Sequence, residues 1–268
     1  LFALERAGHR PPALPSAFHQ LPATVSKIPG TKEYDWQMPT VALLKAAARE
    51  LRVTVRLNRC KYAKQPFGYA LSGPDGDTVS QGTVQPGEPV EIRVPPEIPA
   101  GTYRLRVSNR LSFTPTSSSK ITFERQLPGL WLPVSPPDTP EVLEIPAGDT
   151  VGRGYWKSQY WFRTSAELDT LTIYFPLPSG RAAKSWARLN RISVLDASGR
   201  VVWRHQYCGV DDDGPKHVTA ALEVPPEQRG KLWQVTLPGR SLGFTLDPRL
   251  PSVLATSADR WFHPDAMQ

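Results

Sequence analysis

The densest group of side chains that could do chemistry in this sequence is aromatic. Residues 155–162 place five aromatic rings in eight positions. Exposed tryptophan and tyrosine rings have apolar faces that can stack on sugar rings, so such a cluster is typical of a carbohydrate-binding surface. The alternative is that these rings form the core and the interface to a neighbouring module or to the N-terminal arm. The candidate ligand-binding residues are Trp156, Tyr160, Trp161, Trp203 and Tyr207.

A run of acidic residues offers a second kind of chemistry. Asp211, Asp212 and Asp213 are adjacent and precede Gly214. Adjacent carboxylates repel one another unless water or a cation screens them, and Ca²⁺ binds carboxylate and carbonyl oxygens of such loops. The run is therefore either a solvated turn or a calcium site with Asp211 and Asp213 as ligands. It lacks the alternating acids and the terminal glutamate of an EF-hand loop.

We predict no catalytic residue from the sequence. It holds neither a His-Glu-x-x-His motif nor a glycine-rich phosphate-binding loop, and its five histidines are scattered. Glu33 and Asp35 lie among aromatic residues, as the acids of a sugar-cleaving site often do, but a glycosidase needs two carboxyl groups about 5–9 Å apart across a cleft. We therefore expect a non-catalytic protein. The alternative is a hydrolase fragment or subunit that uses these acids on polysaccharide.

Composition excludes several classes of protein. The 29 prolines in 268 residues predict many short strands that end in turns, because proline fits neither helix interiors nor central strands. The net charge of +7 comes from interspersed residues without a run of four basic ones, so we expect no nucleic-acid partner. Apolar stretches of about five residues are too short for a membrane span, which needs about 20. Cys60 and Cys208 are either free thiols or one disulfide between the two halves.

Alternation of apolar and polar residues marks the strands. Residues 51–57 show it clearly, and the turns Pro74-Asp75-Gly76 and Ala197-Ser198-Gly199 predict hairpins. Residues 40–51 fit a helix or a buried strand equally well. Further strands are predicted at residues 90–94, 101–107, 171–175, 192–203, 218–224 and 232–237.

The two halves of the chain resemble each other. Val94-Pro95-Pro96-Glu97 and Val224-Pro225-Pro226-Glu227 are each followed by a glycine and a new alternating segment. Each block also follows a predicted hairpin. Because proline donates no ladder hydrogen bond, we expect the strand to end there and the next strand to return beside it. The repetition predicts two modules of related architecture.

These elements predict an all-β fold of two tandem antiparallel β-sandwich modules preceded by an extended, proline-rich N-terminal arm. The predicted boundaries are residues 1–39 for the arm, 40–134 for the first module and 141–268 for the second, jelly-roll-like module. The apolar residues of the arm predict that it packs on a surface. The start at Leu1 favours a processed chain or a piece of a longer polypeptide.

The two Val-Pro-Pro-Glu blocks, the Asp/Gly hairpins and the ending from Leu250 to Phe262 resemble tandem β-sandwich accessory modules of large bacterial secreted enzymes. These include the jelly-roll and pre-peptidase C-terminal-like modules of glycoside hydrolases. The resemblance implies a secreted, periplasmic or cell-envelope accessory region. Its expected partners are polysaccharide and a catalytic domain or partner subunit, with no cofactor apart from the calcium alternative. No binding residue is transferred from the family.

Overall fold

The computed structural model describes residues 20–21, 24–27, 33–37, 40–57, 66–85, 88–112, 130–131, 134–135, 138–145, 151–154, 158–176, 191–206, 217–237, 242–250 and 253–265. These residues form antiparallel strands, turns and two single-turn 3-10 helices, Pro226–Gln228 and Ala258–Arg260. The predicted all-β class is confirmed. No helix in this part of the chain is long and apolar enough to cross a membrane.

The first strands in chain order are β1 (Gln20–Leu21), β2 (Thr24–Lys27), β3 (Glu33–Gln37), β4 (Thr40–Lys45), β5 (Leu51–Leu57), β6 (Phe67–Ser72), β7 (Thr78–Val84), β8 (Val90–Val94), β9 (Gly101–Ser112), β10 (Leu130–Trp131), β11 (Val134–Ser135) and β12 (Glu141–Glu144). The remaining strands are β13 (Val151–Gly154), β14 (Ser158–Arg163), β15 (Thr170–Pro176), β16 (Arg191–Leu195), β17 (Val201–Gln206), β18 (His217–Glu223), β19 (Leu232–Leu237), β20 (Leu242–Leu246) and β21 (Val253–Leu254).

Two sheets of the first half share one core. In one sheet β5 pairs with β8 on one edge and with β10 and β11 on the other. In the other sheet β9 lies between β6 and β4, and β7 extends it beyond β6. The inward residues of both sheets are buried in the same apolar cluster: Leu51, Val53, Val55, Tyr103, Leu105 and Val107. Short strands of the predicted arm join these sheets, since β3 pairs with β9 and β1 pairs with β10.

Two four-stranded sheets form the second half. Their orders are β13-β20-β15-β18 and β14-β19-β16-β17. Rings from the two sheets meet between them: the Tyr160 and Phe244 centroids are 5.6 Å apart, and the Phe175 and Trp203 centroids are 5.3 Å apart. Trp233 is the largest fully buried side chain of this core.

The two halves repeat one pairing scheme. In the first half β4 pairs with β9, β9 with β6, β6 with β7, and β5 with β8. In the second half β14 pairs with β19, β19 with β16, β16 with β17, and β15 with β18. Six consecutive strands in each half are therefore connected in the same way, which deepens the resemblance predicted from two short sequence blocks.

The Pro-Pro blocks act differently from the prediction. The strand before each block does not pair with the strand after it. In the first half β8 and β9 belong to opposite sheets of the sandwich, and in the second half β18 and β19 do so too. Each block therefore carries the chain across the sandwich. In the first half Lys45 Nζ donates to the Ile98 carbonyl at 2.8 Å, and the Tyr103 hydroxyl donates to the Pro99 carbonyl at 2.8 Å. These bonds satisfy carbonyls that have no ladder partner in the crossing.

The ambiguous segment at 40–51 is a strand, β4, followed by a turn and the start of β5. The alternation is missing because β4 is buried on both faces. Val41 and Leu43 face the sandwich core, whereas Ala42 belongs to a second apolar cluster on the other side of the sheet. A strand covered on both faces gives a continuous apolar run, which periodicity cannot distinguish from a helix.

The predicted division of the chain at residues 134–142 stays a prediction. The sheets do show where the strand after the linker goes: β12, placed in the second module by the prediction, pairs over four residues with β4 of the first half. On its other edge β12 pairs with β21, which comes from the C-terminal end of the described chain. Sheet pairing therefore crosses the predicted boundary.

Gly101 gives a test of the first crossing. Its φ is +140°, and a Cβ built on it lies 2.6 Å from Cγ of Pro74 in the β6–β7 hairpin. Gly101→Ala should lower the free energy of unfolding by about 3 kcal/mol or more, because backbone strain and a clash add. Gly199→Ala is the matched control: its φ is +80° but nothing lies within 4 Å, so only the backbone term of about 1–2 kcal/mol applies. Equal losses in urea unfolding would contradict the docking of the crossing on the hairpin.

Candidate functional site

Two of the candidate aromatic residues on β14 serve the interior. Tyr160 is 3% exposed, and its ring packs on Phe244 in the core of the second half. Trp161 points to the opposite face of the strand and is half-buried against the second apolar cluster. That cluster consists of Ala42, Val142, Val253, Ala255 and Phe262, with Leu44, Trp161 and Trp261 packed against it. Neither ring is freely exposed for stacking on a sugar.

Trp203 lies on the edge strand β17 and faces inward. Its ring is parallel to that of Phe175, with centroids 5.3 Å apart and an interplanar angle of 7°. His205 continues the stack at 6.0 Å and 15°. Both Trp203 and His205 are half-buried. The indole is therefore engaged in an intramolecular ring stack at the edge of the sandwich.

The described aromatic candidates do not form one surface. β14 and β17 are the two outer strands of the sheet β14-β19-β16-β17, so Trp161 and Trp203 lie about 14 Å apart across three strand spacings. They also point to opposite faces, because Trp203 is the register partner of buried Val194 and Trp161 is the partner of Gln234. Trp156 and Tyr207 lie outside the described residues, as do Asp211, Asp213, Cys60 and Cys208.

The best-built polar site lies where the two halves meet. The backbones of Trp161 and Ala255 exchange two hydrogen bonds of 2.8 Å each. Directly before Ala255, β21 pairs with β12, which itself pairs with β4. The C-terminal segment, residues 253–265, therefore bonds to an edge strand of each half. Nothing in the periodicity of the sequence marks this junction, because its contacts join positions more than 90 residues apart.

An ion pair lies inside the junction. Arg260 Nη1 is 3.5 Å from Glu141 Oε2, and the two side chains are 5% and 3% exposed. Burying two charges is costly unless they meet each other, so each requires the other. Farther along the segment, Thr102 Oγ1 donates to the Pro264 carbonyl at 3.0 Å. Arg104 links Glu144 to Asp265, with N–O distances of 3.0 and 2.8 Å.

The outer side of the junction carries a cation–aromatic contact. The Arg163 guanidinium lies 4.6 Å from the centre of the Trp261 ring. His263 meets the same ring edge-on, with centroids 6.4 Å apart at 74°. A cation over a tryptophan face is favourable by about 0.5–1 kcal/mol at an exposed site. These contacts hold the segment after the ion pair against β14.

The two buried aspartates of the second half hold turns. Asp247 accepts hydrogen bonds from the Arg249 side chain, the Arg249 backbone and the Thr172 backbone. These bonds, with that of the Arg249 guanidinium the strongest, hold the pKa of Asp247 below its usual value. At Asp196 burial works in the opposite direction, but hydrogen bonds from Ser198 and Arg200 outweigh it and lower the pKa. Their hydrogen bonds fix the turns that follow β16 and β20.

Other catalytic and metal-binding arrangements have no support in the described part of the chain. No cluster of three His, Cys, Asp or Glu side chains that could hold a metal ion occurs there. Glu33 and Asp35 lie on β3, as backbone register partners of Ser112 and Arg110. Residues 239–243 fit the Gly-x-Ser-x-Gly pattern, but the nucleophile elbow stands between a strand and a helix. Here β20 begins at Leu242, directly after the serine, so the context is strand to strand.

Comparisons add little. No family model and no curated protein matches the chain. Among solved structures it is similar to the M60 catalytic domain with the CBM51-1 and CBM51-2 domains from Clostridium perfringens ZmpB (8% identity, 80% of this chain and 34% of that chain, TM-score 0.19). It is also similar to the BSP domain of a biofilm associated protein (10%, 91% and 54%, TM-score 0.18) and to an f-lectin (fucolectin) from striped bass, Morone saxatilis, serum (7%, 89% and 84%, TM-score 0.18).

The chain spans about a third of the first of these structures and about half of the second. At TM-scores below 0.2 these likenesses carry no argument about fold or function.

The Asp247 turn predicts an acid-sensitive contribution to stability. Because the folded-state pKa is below the unfolded value of about 3.9, the contribution is fully present above that value and is lost as the pH falls through the folded pKa. Asp247→Asn should lower the free energy of unfolding by about 1–3 kcal/mol at pH 7, and the difference from the parent chain should shrink below about pH 4. Asp77→Asn, in an exposed turn, is the control. Urea unfolding at pH 7, 4 and 3 checks this, and a pH-independent difference would contradict it.

Proposed function

We propose that this chain is a non-catalytic accessory region whose two β-sandwich halves are fixed against each other and brace a catalytic domain or partner protein. The observation that carries the proposal is the C-terminal segment, which bonds to β12 on one side and to β14 on the other. A single linker would let two modules move freely, which is the usual expectation for tandem domains. Here backbone pairing, an apolar cluster and a buried ion pair act together against such motion.

The chemistry of the junction suits a permanent contact. Its apolar residues come from four separate stretches, around positions 42, 142, 161 and 253–262. Separation of the halves would expose these side chains and leave Glu141 and Arg260 without each other, a cost of several kcal/mol for each buried charge. We infer that the halves unfold and move as one body. A body of this kind holds its two ends at a fixed distance and orientation, which is what a brace or spacer requires.

Polysaccharide binding and a secreted, periplasmic or cell-envelope location belong to the same proposal. The half-buried positions of Trp161 and Trp203 favour a structural role for these two rings. A glycan surface on the described part therefore does not consist of these two rings. Calcium at Asp211 and Asp213, and a disulfide between Cys60 and Cys208, remain predictions from the sequence.

The junction is tested by Arg260→Met, which removes the cation that lies beside the buried Glu141 carboxylate. We expect a loss of about 3–5 kcal/mol and a separation of the single thermal transition into two, measured by calorimetry. Arg93→Met is the matched control, because Arg93 pairs with Glu91 on the exposed surface and such pairs contribute about 0–1 kcal/mol. Ala255→Pro removes one of the two hydrogen bonds to Trp161 without burying a charge, and it should also separate the transitions.

Small-angle X-ray scattering gives the second readout for these variants. The parent chain should scatter as one compact body, and Ala255→Pro should increase its radius of gyration. Unchanged scattering together with one unchanged transition in both junction variants would sink the bracing proposal.

The hydrolase alternative has its own test. We expect the purified chain to show no turnover of polysaccharide substrates. Activity that Glu33→Gln or Asp35→Asn abolishes, while both variants keep the parent's thermal midpoint, would promote the alternative over the accessory role. Reducing-sugar release over a panel of polysaccharides measures it.

A further inference from the structure

The outer face of the sheet β14-β19-β16-β17 is unusual in its charge. Its four strands contain no aspartate or glutamate but hold Arg163, Arg191 and Arg204. Their buried residues are apolar or aromatic and face inward, and the strand alternation places the three arginines on the outward face. The face is therefore basic, in a chain where acidic and basic residues are otherwise interspersed.

Two of these arginines lack the partners that others have. Seven arginines of the described part form ion pairs: Arg49, Arg52, Arg93, Arg104, Arg200, Arg249 and Arg260. Arg191 and Arg204 are exposed and have neither an ion pair nor a side-chain hydrogen bond within the described residues. They are diagonal neighbours, because Ser193 is the register partner of Arg204 and Arg191 is the partner of Gln206.

Diagonal neighbours on paired strands lie about 7–8 Å apart. Two uncompensated cations on such neighbouring positions repel each other, and no acidic side chain of the four strands relieves the repulsion. An anion placed between the guanidiniums would remove the repulsion and gain charge-assisted hydrogen bonds from both. The pair is therefore shaped for a carboxylate or another small anionic group supplied from outside the chain.

A row of neutral hydrogen-bonding groups continues from this pair across the sheet. Gln159, Thr236, Ser193 and Arg204 are successive register partners on the four strands, so the row spans about 14 Å. The amide and the two hydroxyls have no side-chain hydrogen bond within the described residues. Hydroxyl and amide groups of this kind match the hydroxyls of sugar rings. The half-buried Trp161 lies next to Gln159 along β14, at one end of the row.

We propose that this face binds a polysaccharide that bears carboxylate groups, with Arg191 and Arg204 holding a carboxylate and the neutral row holding sugar hydroxyls. The inference deepens the polysaccharide part of the proposed function and rests on it, whereas the bracing role is independent of it. Two free guanidiniums are too few for a nucleic acid, whose proteins neutralise about 6–10 phosphates.

Affinity electrophoresis of the purified chain in gels containing polygalacturonate tests the proposal. We expect retardation of the parent chain, and about tenfold or greater weakening in both Arg191→Gln and Arg204→Gln. Arg106→Gln is the matched control, since Arg106 is likewise exposed and has no ion pair within the described residues but lies on β9 of the first half. Fully methyl-esterified polygalacturonate has the same sugars without the charge and should not retard the parent chain.

Three outcomes would overturn the proposal. They are no retardation of the parent chain, equal weakening by Arg106→Gln, and retardation by single-stranded DNA that is as strong and as dependent on Arg204. The last would assign the face to phosphate. Thermal midpoints of the variants should equal that of the parent, because all three arginines are exposed. Loss of glycan binding with an intact junction would remove this site alone, and the scattering and calorimetric tests would still decide the bracing role.

Discussion

Burial of β4 on both faces is the constraint on which the arrangement of the two halves depends. One face of this strand completes the first core through Val41 and Leu43, and the other meets the second apolar cluster through Ala42. An edge strand with an apolar outer face would otherwise expose both its backbone and its side chains to water. β12 covers the edge, and the C-terminal segment covers the face. Residues from two distant parts of the chain therefore bury β4.

The ion pair between Arg260 and Glu141 gives that contact its specificity. An apolar patch alone tolerates sliding, because the hydrophobic effect is non-directional. A buried ion pair is most favourable in the position that brings the two charges together, so a shifted register that separates them is costly. The two hydrogen bonds between Trp161 and Ala255 impose the same register from the side of β14. Apolar burial thus supplies the affinity of the halves for each other, while polar contacts fix their relative position.

The sequence predicted those parts of the fold that depend on contacts between residues close together in the chain. Alternation at 51–57, 90–94 and 101–107 predicted β5, β8 and β9, because a strand with one wet face shows its period directly. The hairpins at Gly76 and Gly199 were predicted equally well, because their turns need a positive φ, which glycine adopts readily. The sheet to which a strand belongs is not local. The Pro-Pro blocks therefore indicated that a strand ends without indicating that the next one crosses to the opposite sheet.

The candidate site was less predictable than the fold for the same reason. A cluster of aromatic residues has the same sequence whether it faces solvent, a core or a neighbouring module. In the structure Tyr160 faces a core and Trp161 faces the junction, two environments separated only by the alternation of one strand. Arg191 and Arg204 carried no such signal, because isolated arginines are common on any surface. Their interest arises only from register, which makes them neighbours, and from the absence of an acid on the four strands.

The repeated pairing scheme explains why a ligand face would lie on one half only. β4 and β14 occupy the same position in the two halves, and both are joined to the C-terminal segment, β4 through β12 and β14 directly. The junction thus occupies equivalent edges, and in the second half it also covers the β14 end of the outer face through Trp161 and Arg163. In the first half the strands beyond β9 present small side chains on that outer face, such as Gly68 and Ala70, with Arg106 beside them. In the second half the equivalent strands present Ser193, Arg191 and Arg204. On that face the junction uses Trp161 and Arg163 of β14, whereas Arg191 and Arg204 lie on β16 and β17 at the other side of the sheet, so the proposed bracing and ligand-binding roles use different strands.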